Sequence, residues 1–248
     1  MAVDEAILEA HLAGLIPPTL RLYQFSPPAV SFGYAQKTDE ALIKSIQAKG
    51  FDVVRRPTGG RAVLHYGDLT YAFICSTRGA PVAEHILVSE SIVNAYKQIC
   101  QALILSLGFL GLEVTLGNSK SNYRNKDDCF LATTIGDLQF QGNKIIGSAQ
   151  LRRRHGVLQH GSIILNQPQS LMQELIGNSK PLKHHANLFE EASKNYSITA
   201  LEQTLIKGFE QTFNCQFLPT ELTAQEQTLA DSLMPKYQHL SQEAIKST

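Results

Sequence analysis

The stretch RRPTGGRAVLH, residues Arg55–His65, places three arginines, a proline and a glycine pair directly before alternating apolar residues. With FDVVRR before it, this pattern predicts a strand, a tight turn and a second strand. Gly59 and Gly60 allow backbone angles and close approach that a Cβ would forbid, so successive N–H groups can point at an anionic or carbonyl oxygen beside Arg56 and Arg61. The stretch therefore indicates a ligand-binding loop, with a hairpin turn carrying solvated arginines as the alternative.

The rest of the chain predicts a mixed α/β (α+β) fold with mixed β-sheets flanked by helices. Helical periodicity covers residues 2–13, 39–49 and 84–107, and short alternating runs between them predict strands. Two C-terminal helices each open with a capping-box pattern, Thr199 with Glu202 and Thr223 with Glu226. Neither an internal repeat nor a linker divides the sequence, so we expect one catalytic domain over 1–248 with a helical C-terminal tail.

Composition limits the classes of function. The 248 residues are 43% apolar and 18% charged with zero formal net charge, which is typical of a globular protein and disfavours general attraction to nucleic acid or an anionic membrane. The four cysteines are far apart without metal-ligand spacing, and no long apolar run is present, so we expect reduced thiols, no metal site and a cytoplasmic protein.

One cysteine and one lysine are candidates for chemistry. The polar segment 117–128 predicts a mobile loop, and Cys129 follows it, where access and nearby charge could favour a thiolate. Lys144 begins a strand after a predicted turn at Gly142 and Asn143, from which its ammonium could reach a substrate carbonyl or Cys129. The alternative for Lys144 is a solvated surface lysine, whereas Cys75 and Cys100 lie in apolar segments and are expected in the core.

Small residues interrupt the two strands that follow. Within GSAQLRRRHGVLQHGSIIL, small side chains allow a ligand or another backbone to approach closely, although a bulge with a packing contact is the alternative. The arginines of this segment indicate a solvated edge or a docking site for an acidic partner. The adjacent His184 and His185 point in different directions in any regular structure, so no metal role is assigned to them. The residues concerned are Gly147, Ser148, Ala149, Arg152, Arg153, Arg154, His160 and Gly161.

Three motifs taken in order carry a family resemblance. RRPTGGRAVLHYGDLTYAF, then GNKIIGSAQ, then LQHGSIIL resemble the biotin/lipoate protein ligase catalytic domain family, from about PPTLRLYQFSPPAVSFGY to the C-terminal helices. The resemblance implies an acyl-binding tunnel between the arginine-glycine loop and the lysine strand. It assigns substrate binding to Arg56, Gly59, Gly60, Arg61, His65, Gly147, Ser148, Ala149, His160 and Gly161, with Lys144 opposite the loop.

Within this family the sequence is closest to the LipM-type octanoyltransferases. The loop reads GGR where ATP-dependent lipoate ligases tend to read GGG, and CF precedes the lysine hairpin as in the LipM type, whose cysteine forms an acyl-thioester. LipB-type transferases carry their cysteine near the HG motif, and HGVLQHG here has none. The resemblance therefore implies that Cys129 is the nucleophile, that Lys144 lowers its pKa, and that no cofactor, ATP or metal is needed.

The implied partners are an octanoyl-acyl carrier protein donor and a lipoyl-domain acceptor, either glycine cleavage H protein or the E2 subunit of a 2-oxoacid dehydrogenase. A monomer that binds neither nucleic acid nor membrane is expected. Three alternatives stay open: ATP-dependent lipoate ligation, amidotransfer between lipoyl-domain proteins, and a non-catalytic acyl or carrier-protein binder.

Overall fold

A computed structural model describes residues 1–77, 86–117, 136–168, 170–177, 186–191 and 196–238. The strands are β1 (Thr19–Tyr23), β2 (Ala29–Phe32), β3 (Asp52–Arg55), β4 (Val63–His65), β5 (Asp68–Thr77), β6 (Leu87–Val88), β7 (Thr115–Leu116), β8 (Leu138–Phe140), β9 (Asn143–Arg153) and β10 (Gly156–Ile164). The helices are α1 (Ala2–Leu12), α2 (Glu40–Ala48), α3 (Ile92–Gly108), α4 (Leu171–Ile176), α5 (Leu188–Glu191), α6 (Ile198–Phe213) and α7 (Ala224–Gln238). The predicted mixed α/β class is confirmed.

The larger sheet has the order β1-β5-β10-β9-β8-β7, with β6 added in parallel to the end of β5. The other pairings in this sheet are antiparallel, and the strands β8, β9 and β10 form a meander. The predicted lysine hairpin is confirmed, but its turn residues are Gln141 and Gly142, with φ of 48° and 83°, and not Gly142 and Asn143. Two consecutive positive φ angles are what a two-residue hairpin turn requires.

The smaller sheet corrects the prediction for RRPTGGRAVLH. Strands β3 and β4 do flank the loop, but they do not pair with each other: the order is β3-β2-β4, with β2 parallel to β3 and antiparallel to β4. The loop at residues 56–62 therefore crosses the end of β2 and is no hairpin turn. Local pattern alone could not indicate this crossing, because the intervening strand comes from more than 20 residues earlier in the chain.

Helices cover both faces of the larger sheet. One core cluster packs α3 and α6 against one face, through Ile99, Leu103, Leu205 and Phe209 on the helices and Phe73 on β5. A second packs Ile7 and Leu8 of α1 against Ala72, Ile74 and Leu158 on the other face. A third lies between the smaller sheet and the helices α2 and α4. The smaller sheet therefore has its own apolar core, separate from the two clusters on the larger sheet.

Helix boundaries differ from two predictions. α3 begins at Ile92 with Ser91 as its N-cap, because Leu87–Val88 is taken into the larger sheet. α6 is capped by Ser197, whose hydroxyl accepts from the Ala200 N–H, so the predicted Thr199 cap is wrong.

The second capping box is confirmed. Thr223 and Glu226 exchange hydrogen bonds reciprocally at the start of α7. None of the helices in the described ranges has the length and apolar character needed to cross a bilayer.

Candidate active site

A cavity lies between the two sheets, and its space, counted together with the part that is open to solvent, is about 480 Å³. Residues of three distant stretches meet there: the arginine-glycine loop with its flanking strand, the strand after the lysine, and the HG segment. The predicted residues that line it are Arg56, Gly60, His65, Gly147, Ser148, Ala149, His160 and Gly161.

Arg56 organises the arginine-glycine loop from inside. Its Nε and Nη2 atoms donate to Gly59 O at 3.2 and 3.0 Å, and Nη2 also donates to Arg61 O at 2.5 Å. Its Nη1 donates to Ser31 O at 2.8 Å and to Ser31 Oγ at 3.2 Å, which fastens the loop to β2. The side chain is 4% exposed, so these donors shape the loop that faces the cavity.

The second glycine of the loop, Gly60, is in close contact with Gly33 of a neighbouring segment. A Cβ on Gly33, at the end of β2, would lie 2.0 Å from Gly60 O, and Gly60 itself has φ of 101°. By contrast, no heavy atom lies within 4 Å of the Cβ position at Gly59. Of the pair in the loop, Gly60 is the one whose backbone conformation favours glycine, and its close contact with β2 requires glycine at position 33. Gly59 and Arg61 are in the loop but are not among the residues that line the cavity.

His65 lies in a buried hydrogen-bond chain. Its Nε2 is 2.8 Å from Ser31 Oγ and its Nδ1 is 3.0 Å from Asp68 Oδ2. Asp68 also accepts from Ser162 Oγ at 2.6 Å. The ring stacks on Phe25, with centroids 4.0 Å apart and an angle of 21° between the planes. β2, β4, β5 and β10 thus each contribute one polar residue to this chain.

Lys144 is held in an ion pair and is not a solvated hairpin lysine. Its Nζ lies 3.0 Å from Asp137 Oδ1, and the two side chains are 2% and 1% exposed. The Asp137 carboxylate, which lines the cavity, also accepts from Ser148 N at 3.4 Å. Lys144 itself is not among the lining residues and lies behind the site through its ion pair with Asp137.

His160 connects the loop to the larger sheet. Its Nε2 is 2.6 Å from Thr58 Oγ1, and its Nδ1 is 3.6 Å from Asp4 Oδ2 on α1, which is an ion-pair distance too long for a hydrogen bond. Burial lowers the pKa of His160, outweighing the opposing effect of Asp4, so the ring is neutral at pH 7.

Gly161 permits close packing beside His160. A Cβ on Gly161 would lie 2.5 Å from Gly147 O and 2.7 Å from the Tyr71 ring. The tight approach that the small residues predicted is therefore present between β9 and β10.

The other cysteines and histidines named from the sequence lie outside the cavity or outside the described residues. Cys129, the segment 118–128 and the pair His184–His185 lie outside the described residues. Cys75 and Cys100 are fully buried, which confirms their place in the core. Burial raises the pKa of the Cys100 thiol to about 12 and that of Cys75 further, so neither is a ready nucleophile.

Two of the three adjacent arginines have structural partners. Arg152 donates to backbone carbonyls of Glu90 and Ser89, and Arg153 forms ion pairs with Glu5 and Glu9 of α1. The prediction of a solvated edge is therefore wrong for these two.

Sequence reasoning missed several residues of the cavity. The additional lining residues are Met1, Ser31, Val63, Thr70, Asp137 and Ser162. Ser31 is a single polar residue within β2 and Asp137 directly precedes β8, and no local motif marks either of them. Alternation could have found Ser162, because it lies on the same face of its strand as His160.

Comparisons with known proteins agree with this geometry. Residues 1–210 match the family of the lipoyl protein ligase A/B catalytic domain. The chain is 35% identical over 256 residues to octanoyltransferase LipM of Kyrpidia tusciae, covering 96% of this chain and 90% of that protein. It is 34% identical to octanoyltransferase LipM of Geobacillus kaustophilus, with 94% and 88% covered.

A solved structure has the same fold. Lipoate-protein ligase A bound with ATP superposes with a TM-score of 0.74 at 25% identity, covering 95% of this chain and 88% of that one. The match across the whole fold and the identity to LipM proteins over nearly their full length show that this chain belongs to the lipoyl protein ligase A/B catalytic domain family, in its LipM octanoyltransferase branch.

Proposed function

We propose that this chain moves an octanoyl group from the thioester of acyl carrier protein to a lysine amine of a lipoyl-domain protein, through a thioester on Cys129. The observation that carries the proposal is the cavity between the sheets, where the arginine-glycine loop, the GSA strand and the HG segment meet beside a buried Lys144–Asp137 pair. We propose the whole of 1–248 as one catalytic unit.

The cavity suits an acyl group with a polar end. Gly60, Gly147 and Gly161 let backbone come close to a ligand, and the polar side chains Ser31, Ser148 and His65 meet at the same cavity. Backbone N–H groups of such a loop can stabilise the oxyanion that forms when a carbonyl is attacked. Arg56 keeps the loop in place, because its donors hold the carbonyls of the loop itself.

Lys144 supplies the positive charge of the proposed reaction. A cationic neighbour favours the thiolate of a cysteine, which is the reactive form. Asp137 fixes the position of the ammonium from 3.0 Å. In this proposal Lys144 activates Cys129 and orients the carbonyl of the incoming thioester.

Two steps divide the transfer. The Cys129 thiolate attacks the octanoyl carbonyl, and the carrier thiol leaves with a proton; the lysine amine then attacks the enzyme thioester and releases Cys129. A thioester is already activated, so this reaction requires no ATP. An ATP-dependent ligase would instead activate a free acid, and a non-catalytic binder would turn over neither substrate.

Purified components test the proposal directly. The full chain is incubated with a lipoyl-domain protein and either octanoyl-acyl carrier protein without ATP or free octanoate with ATP and Mg²⁺. We expect octanoyl-lysine, seen as a mass increase of the acceptor, only from the carrier-protein donor. Product from free octanoate with ATP would favour the ligase, and no product from either donor would favour a binder.

A further inference from the structure

Ser31, His65 and Asp68 form a continuous chain beside the cavity. Ser31 Oγ is 2.8 Å from His65 Nε2, and His65 Nδ1 is 3.0 Å from Asp68 Oδ2. The order of hydroxyl, imidazole and carboxylate is the order used when a histidine takes a proton from a hydroxyl while a carboxylate holds the ring. The proposed roles of Cys129 and Lys144 leave this chain without a function.

The surrounding groups favour one direction for the hydrogen bonds of this chain. Arg56 Nη1 donates to Ser31 Oγ at 3.2 Å, and the Asp68 carboxylate at Nδ1 favours the His65 tautomer in which Nε2 accepts the hydroxyl proton of Ser31. His65 then carries its own proton on Nδ1 and donates it to Asp68, a carboxylate that is 2% exposed. This tautomer has Nε2 as the acceptor, which is the state able to take up a proton.

The position of the chain connects it to the substrate. Ser31 and His65 both line the cavity, whereas Asp68 lies behind them. Phe25 stacks on the imidazole at 4.0 Å and restricts its rotation. Ser162 donates to the same Asp68 oxygen at 2.6 Å, which keeps that oxygen directed at the ring. A preorganised base at the edge of an acyl cavity results.

We infer that Ser31 and His65 form a proton relay that deprotonates the attacking amine in the second step of the transfer, with Asp68 as a positioning residue. The inference rests on the proposed function, because the step that the relay serves is the attack of the acceptor amine on the Cys129 thioester. Attack by a neutral amine leaves an extra proton on the nitrogen, which must be removed for the amide to form, whereas the first step needs only the thiolate that Lys144 already favours. The second step is therefore the one that needs a base.

The proton transfer balances as follows. The ammonium first loses one proton to solvent, and the free amine forms the C–N bond at the thioester carbonyl. The nitrogen then passes its extra proton to Ser31 Oγ while the Ser31 proton moves to His65 Nε2. The C–S bond breaks with its electron pair on Cys129 sulfur, and the His65 imidazolium, paired with Asp68, releases its proton to solvent.

Half-reactions measured separately test the relay. The full chain is first acylated with octanoyl-acyl carrier protein and followed by intact mass, and lipoyl-domain protein is then added to follow loss of the octanoyl mass. For His65→Gln and Ser31→Ala we expect the second step to slow by on the order of 10²–10⁴-fold, the usual contribution of acid–base catalysis, and the first to change by less than about 10-fold. Ser31→Thr, which keeps a hydroxyl, should restore most of the second step, and Asp68→Asn should slow it by on the order of 10-fold.

A second buried serine–histidine pair serves as the control. His11 Nε2 is 2.8 Å from Ser76 Oγ, His11 is 5% exposed, and neither residue lines the cavity. His11→Gln should therefore reproduce the loss of a buried histidine without slowing either step per folded molecule. An equal slowing of both steps in His65→Gln, or no slowing of the second, would overturn the relay. Failure of the wild-type chain to become acylated at all would instead overturn the proposed function.

Discussion

The two walls of the cavity hold their polar groups in different ways. The lysine wall, formed by Asp137, Lys144 and the strand after them, contains a buried pair of opposite charges supported by one hairpin. The loop wall, formed by Ser31, the arginine-glycine loop and His65, is held by arginine donors on backbone carbonyls and by hydrogen bonds between separate strands.

This difference indicates that the two walls have different roles in the site. A buried charge pair costs desolvation of both ions and is retained where charge is used, whereas a loop fastened through neutral acceptors defines shape. The lysine wall is therefore the electrostatic side of the site, and the loop wall is the side that fixes geometry and, through His65, handles protons. Substitutions in the two walls should therefore impair stability and acyl transfer in different ways.

The largest effect is expected at Lys144. Lys144→Met leaves the Asp137 carboxylate buried without its cation, so we expect unfolding free energy to fall by about 3–5 kcal/mol, together with a loss of transfer on the order of 10²-fold or more per folded molecule. Urea denaturation and the carrier-protein transfer assay measure the two effects.

A double variant separates charge from stability. Lys144→Met with Asp137→Leu should recover most of the lost stability, because an apolar pair can replace an ion pair of similar volume, while transfer stays low. Recovery of transfer in the double variant would show that the lysine wall acts only as a structural support.

The next effect is expected at Gly60. With φ of 101° and its oxygen against Gly33, Gly60→Val should lower stability by about 1–3 kcal/mol and prevent acyl transfer, because a branched side chain resists this conformation. Gly59→Ala is the matched control and should change the unfolding free energy by less than about 1 kcal/mol, since the position of its Cβ is open. Equal unfolding free energies for the two variants would remove the distinction drawn between the glycines.

A smaller effect should appear in the pH dependence of stability. Burial lowers the pKa of His160 below its ordinary 6.5, so the unfolded chain binds more protons than the folded one below pH 6.5. The contribution of neutral His160 to the unfolding free energy is fully present above pH 6.5. It is lost as the pH falls towards the pKa of His160 in the folded chain, by at most about 1.4 kcal/mol per pH unit.

Urea titrations of wild type and His160→Gln at pH 7.5 and 5.5 isolate this effect. The loss of stability between the two pH values should be smaller in His160→Gln. Identical losses would mean that His160 does not tie the loop to the larger sheet as a neutral group.

The lysine wall could be predicted from the sequence more fully than the loop wall. The lysine hairpin is local, so the alternation of its two strands and the glycine between them predict it. The predicted turn is displaced by one residue. The loop wall depends on β2 entering between β3 and β4, a contact between distant parts of the chain that no local pattern encodes. The sequence therefore indicates Gly60 and Arg56 as ligand contacts but gives no sign of the contact of Gly60 with Gly33 or of Arg56 with Ser31.

Partners of charged side chains were equally hard to predict. A lysine beside a turn is ordinarily solvated. Asp137, two residues after the segment 118–135 that lies outside the described ranges, carries no motif of its own. The family resemblance supplied the site residues that local periodicity could not. It gave their identity without the hydrogen bonds of Ser31, Asp68 and Asp137, which required three-dimensional structure.

Acylation of Cys129 is the measurement that tests the account most directly. The wild-type chain incubated with octanoyl-acyl carrier protein and no ATP should gain one octanoyl mass, removable by hydroxylamine as expected for a thioester, and Cys129→Ala should show neither adduct nor transfer. Cys75→Ala and Cys100→Ala should still form the adduct, since both thiols are buried in the core and lose only packing. An unchanged adduct on Cys129→Ala, or full ATP-dependent attachment of free lipoate by that variant, would contradict the account.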